Sequence, residues 1–172
     1  WNGHPFDYFV KLDKHPEAQA GMEPGLLERN HDMLMWLGRE AEKRNIWLMF
    51  QFYNIHTSVY FQKAHGLPAL NTKPTPLLAD YTGYCIERFV SEFPSVGLYI
   101  CPGEALRLQY TDDWINNVIF AAVKRSGKTP PITFPPEFLR TMPAYHLLAR
   151  AEDTARSQWD GSANRRRFYG TL

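Results

Sequence analysis

The 172 residues include 44% hydrophobic and 22% charged side chains, the balance expected of one compact domain with enough apolar material for a core. With 19 Lys and Arg against 18 Asp and Glu, the formal charge is +1, which removes the basic footprint that nucleic-acid binding requires. Aromatics at 15% argue against disorder, no apolar run approaches the ~20 residues needed to cross a bilayer, and no signal-peptide pattern is read at Trp1.

Taken in chain order, the stretch from Pro24 to Arg44 reads as a helix. Leu26, Leu27, Met33, Leu34, Trp36, Leu37 and Ala41 recur at three- and four-residue steps, charged residues cover the other side, and Pro24 suits the first turn. Ile46 to Tyr53 is a nearly continuous apolar and aromatic run, the pattern of a parallel strand covered on both faces. A long loop is expected from Asn54 to Thr75. Thr75-Pro76 then caps a helix whose apolar stripe runs through Leu78, Tyr81, Cys85, Phe89 and Phe93 and stops at Pro94.

Val96 to Cys101 is a second buried strand, broken by Pro102-Gly103. Thr111 is expected to cap a third helix, with Asp112 and Asp113 complementing its dipole and Ser126-Gly127 closing it. Pro131 to Phe134 is a weaker strand pattern, flanked by prolines. This alternation predicts an α/β fold with a parallel sheet. Residues 1–134 hold these βα units, and 135–172 are read as a helical segment, Ala144 to Arg156, followed by a basic tail containing Arg165, Arg166 and Arg167. Cys85 falls on a helix and Cys101 at a strand end. Without a CxxC pair or metal-ligand spacing, both are read as packed thiols.

Ligands of parallel α/β folds lie beyond the carboxyl ends of the strands, so the informative residues follow each strand. The first clear strand is followed by Asn54, His56 and, further on, Tyr60; the second by Glu104. An earlier strand end would contribute Trp1, Asn2, His4 and Asp7. Glu104, raised on a short Pro-Gly turn, suits a general acid if it is held partly desolvated, because desolvation lifts a carboxyl pKa toward the working range, and equally suits the start of a solvated loop. His56 suits a hydroxyl contact, a proton relay or a metal, and equally a structural hydrogen bond. Trp1, Phe6, Tyr8, Tyr53, Tyr60 and Phe61 crowd the same expected end, where flat rings serve sugar faces as readily as packing.

At Asn54-Ile-His56, Tyr60 to Leu67, and Cys101-Pro-Gly-Glu-Ala-Leu106, the chain resembles (β/α)8-barrel glycoside hydrolases of the α-glucuronidase-like and related polysaccharide-degrading kind. The resemblance covers roughly Trp1 to Ile132. It implies a TIM-type barrel, incomplete in 172 residues because a full one takes ~250. It further implies Glu104 as acid/base and a carbohydrate substrate held by Asn54, His56, His4, Trp1, Asn2 and Tyr60. It calls for no cofactor and suggests a periplasmic or secreted setting. Two departures stand out. Gly103 occupies the place where retaining members usually have Asn, and the second carboxylate has no obvious bearer besides Glu137, which follows two prolines.

Two other readings fit the same residues. His4, His56 and Glu104 offer a ligand set for a divalent metal in a sugar isomerase or lyase. Alternatively, the aromatics belong to a non-catalytic carbohydrate-binding α/β domain.

Overall fold

The computed structural model describes residues 5–53, 55–101 and 106–135. Its centre is a parallel three-stranded sheet in the order β1 (Leu48–Tyr53), β2 (Val96–Cys101), β3 (Ile132–Thr133). Helix α1 (Leu26–Lys43) precedes β1, and α2 (Val59–His65) and α3 (Pro76–Glu92) link β1 to β2. Helices α4 (Thr111–Trp114) and α5 (Ala121–Arg125), with a π-helical turn at Ile115–Phe120 between them, link β2 to β3. The fold is therefore mixed α/β, with every described strand parallel and strand order following chain order. No described helix is long and apolar enough to cross a membrane.

Strand alternation sorts the sheet into two unlike faces. Leu48, Phe50 and Phe52 pair in register with Val96, Leu98 and Ile100 and point toward the helices. There Phe50 and Phe89 lie 4.8 Å apart, Phe6 and Phe52 5.0 Å, and Phe6 and Phe89 4.9 Å, ring centre to ring centre. The other face bears Met49, Gln51, Tyr53, Tyr99, Cys101 and Thr133. Met49 and Gln51 are exposed, and Tyr53, Tyr99 and Thr133 half-buried. The expectation that β1 is covered on both faces is thus corrected: among the described residues helices lie on one side alone.

The caps explain most boundaries. Thr75 accepts a hydrogen bond from the Leu78 N–H at 3.2 Å and Pro76 occupies the first position of α3, as the sequence predicts. Pro24, by contrast, lies outside α1, whose cap is Gly25 at φ 76°, a left-handed conformation that suits glycine. Thr111 is not the expected cap either. It is the first residue of α4, preceded by a 3-10 turn at Leu108–Tyr110, and its hydroxyl points back to the Arg107 carbonyl. The expected loop from Asn54 to Thr75 contains α2, capped by Ser58, whose hydroxyl accepts from the Phe61 N–H, and ended by Gly66 at φ 62°.

Helix α1 approaches the end of α3 through Gly38, where a Cβ would lie 2.6 Å from the Pro94 carbonyl oxygen and 3.1 Å from its Cγ. Neither atom is the free end of a flexible chain, so the helix itself has to move. Gly38→Ala is expected to destabilise the fold by about 1–3 kcal/mol from overpacking, offset in part by the roughly 1 kcal/mol better helix preference of Ala. A fall in the urea midpoint would show it; a rise would mean that α1 is free to shift.

The segment before α1 is stitched to α3 by polar groups. The Gln19 amide donates to the Asp7 and Val10 carbonyls at 2.7 and 2.8 Å and accepts from the Leu12 N–H at 3.0 Å. His15 is buried between Glu17 and Asp80, at 3.4 and 3.0 Å, and boxed by the rings of Phe61, Tyr81 and Tyr84. Burial pushes the Glu17 carboxyl up, yet hydrogen bonds from His65 and His15 outweigh it and hold the group below its ordinary range. Asp80 is likewise held low, against burial, by Lys14 and His15.

Candidate functional site

The two long strands finish side by side, because Tyr53 and Cys101 are register partners at their carboxyl ends. Both strands therefore end at one rim of the sheet. Cross-strand contact continues on the side away from the helices, where the Gln51 amide donates to the Cys101 sulfur at 3.3 Å. The sequence reading missed this pair. Its signal is the period of two, which sets Gln51 and Tyr53 opposite Phe50 and Phe52.

Beyond Tyr53 the chain is held tightly. Ile55 is fully buried, as are Thr57 and Ser58, and the Ser58 hydroxyl donates to the Ala18 carbonyl at 3.1 Å while capping α2. Tyr81 reaches this loop from α3, its phenol oxygen accepting from the Ser58 N–H at 3.3 Å and donating to the Asp7 carboxylate, 2.7 and 2.6 Å from its two oxygens. His56 is thereby fixed at the rim. Its N–H donates to the Tyr53 carbonyl at 3.3 Å and its ring stacks on that of Tyr53, centres 5.1 Å and planes 21° apart.

Of the residues expected to act on or hold a substrate, His56 and Tyr60 are described. His56 stands at the strand end where it was expected. Tyr60, on α2, is half-buried and packs closely against Gly21. Trp1, Asn2, His4, Asn54, Glu104 and Glu137 lie outside the described residues, as do the expected helix Ala144 to Arg156 and the basic tail. Phe6 and Phe61, two of the crowding aromatics, are fully buried and serve the core. Cys85 and Cys101 are buried thiols with no disulfide between them. Burial, with the Asp7 carboxylate beside it, pushes the Cys85 thiol well above its ordinary range.

A groove of about 270 Å³ lies elsewhere, on the outer side of α3 against the π-helical turn, lined by Asp80, Tyr84, Glu87, Asn117, Lys14 and Arg125. Its charges are engaged with each other, Lys14 with Asp80 and Arg125 with Glu87 at 2.6 Å. No described strand-end residue lines it, so the rim of the sheet is the stronger candidate.

No family model and no curated protein matches the chain. Among solved structures it is similar to a GH138 enzyme targeting pectin rhamnogalacturonan II, with a TM-score of 0.70 and 35% identity over 78% of this chain. This supports a glycoside hydrolase relation. The matched portion amounts to 17% of that enzyme's length, so this chain corresponds to a small part of it.

Proposed function

We propose that the chain supplies consecutive βα units of a (β/α)8-barrel hydrolase that cleaves glycosidic bonds, with Glu104 as its general acid/base. The observation that carries this reading is the register of Tyr53 with Cys101, which ends both strands at one rim of the sheet; in the sequence Asn54 and His56 follow the first strand and Glu104 follows the second. Parallel strands in chain order and the uncovered second face of the sheet suit a barrel whose remaining strands come from outside the described residues. The similar enzyme's action on rhamnogalacturonan II makes a pectic glycan the substrate class of choice.

In this reading Glu104 enters the reaction protonated and passes its proton to the glycosidic oxygen as the bond to the anomeric carbon breaks. His56 and Asn54 hold sugar hydroxyls, while Trp1, Asn2, His4 and Tyr60 form the floor and sides of the subsite. The partner carboxylate stands ~5 Å from Glu104 if configuration is retained and farther if it is inverted, with room for a water. The test is to incubate the enzyme that carries this chain with rhamnogalacturonan II oligosaccharides and separate the products. Cleavage into smaller sugars is expected. Intact substrate with a folded enzyme, across pectic, uronic-acid and neutral glycans, would overturn the proposal.

A further inference from the structure

We propose that Tyr53 is a positioning residue of the sugar site, its ring setting the plane of the His56 imidazole against which a glycan hydroxyl is held. The inference rests on the reading that His56 touches substrate, and it deepens that reading by naming what orients the contact. The two rings lie nearly parallel, 21° apart with centres at 5.1 Å, whereas the core rings Phe6, Phe50, Phe52 and Phe89 meet at 58 to 67°. The main chain makes the stack by folding back, the His56 N–H on the Tyr53 carbonyl, with fully buried Ile55 between them.

Each neighbour removes one freedom from His56. Strand pairing with Cys101 fixes the Tyr53 backbone, and burial of Ile55, Thr57 and Ser58 fixes the loop. What these anchors leave to be set is the rotation of the imidazole about its side-chain bonds. A hydrogen bond from a ring nitrogen weakens steeply once its angle falls below ~120°, so a ring that swings does not hold a hydroxyl well. A stacked tyrosine face opposes that swing, since tilting the imidazole breaks the parallel contact.

The experiment is a double-mutant cycle in the enzyme that carries this chain, assayed on rhamnogalacturonan II oligosaccharides. His56→Ala is expected to raise KM about tenfold, the loss of one hydrogen bond, with kcat changed less than about twofold. Tyr53→Leu should raise KM nearly as much, Tyr53→Phe should restore it, and Tyr53→Leu should add nothing once His56 is Ala. In the same enzyme, labelled at its histidine rings, the His56 ring-proton resonances should move downfield in Tyr53→Leu, where the ring current is lost, and keep their place in Tyr53→Phe. If Tyr53→Leu leaves KM unchanged, or its effect adds to that of His56→Ala, the inference is overturned while the site stands. A wild-type KM in His56→Ala overturns the site reading itself.

Discussion

Glu104→Gln is expected to lower kcat for glycan hydrolysis by about 10²–10⁴-fold, the usual contribution of a positioned general acid, while KM changes little. Glutamine matches glutamate in shape and has no proton to give, so binding survives and the transition state loses its donor. The deficit should shrink on aryl glycosides with good leaving groups, whose departing oxygen needs no proton. The alkaline limb of the pH–rate profile should also disappear in the variant, because that limb reports ionisation of the acid. Steady-state kinetics on both substrate types checks this. An unchanged kcat on natural oligosaccharides removes Glu104 from the reaction.

Tyr81→Phe carries the largest expected effect on stability, a loss of about 2–4 kcal/mol, since one deletion strips the Asp7 carboxylate of a phenol donor and the Ser58 N–H of its acceptor. The ring itself is retained and still stacks on Phe61, at 3.9 Å between centres, so the loss reports the hydroxyl rather than a cavity. Burial, together with the Asp7 charge, pushes both the Tyr81 phenol and the Cys85 thiol upward. The unfolded chain therefore sheds these protons first, the thiol from about pH 8.5 and the phenol from about pH 10, while the folded chain keeps them. Stability then falls as pH rises, by up to ~1.4 kcal/mol per pH unit for each group, and Tyr81→Phe removes one of the two contributions above pH 10. Urea titrations at pH 7, 9, 10 and 11 measure the slope. A wild-type slope that is flat above pH 9 would sink the account.

The parallel sheet is legible in the sequence because each strand is a short apolar run bracketed by turn residues. The Val96 and Cys101 limits are read without error, and β1 differs by its first two residues, with Ile46 exposed. Thr75-Pro76 marks α3 for a local reason, an acceptor side chain followed by a ring that needs no N–H partner. Where tertiary contact decides, the residues mislead. Met33, Trp36 and Leu37 share the periodicity of α1 but are exposed, because Leu34, Gly38 and Ala41 form the face that packs. Helix α2 was hidden by its length, although Ser58 and Gly66 bracket it. The Tyr53–His56 stack depends on a turn too short to leave a repeat, and the rim was legible only as a place where strands end.

The two unlike faces of the sheet extend to its border. Among the described residues β1 pairs with β2 alone, and its sequence, Leu-Met-Phe-Gln-Phe-Tyr, holds no charge, proline or glycine. A short apolar stretch of this kind, at an edge that no second described strand covers, has the composition of a steric zipper. Kept by itself in solution, the chain should self-associate with rising concentration into fibrillar, dye-binding aggregates, and Gln51→Lys should delay their onset by setting like charges in register. Continuing the sheet with a further strand is thus what would keep this stretch from polymerising.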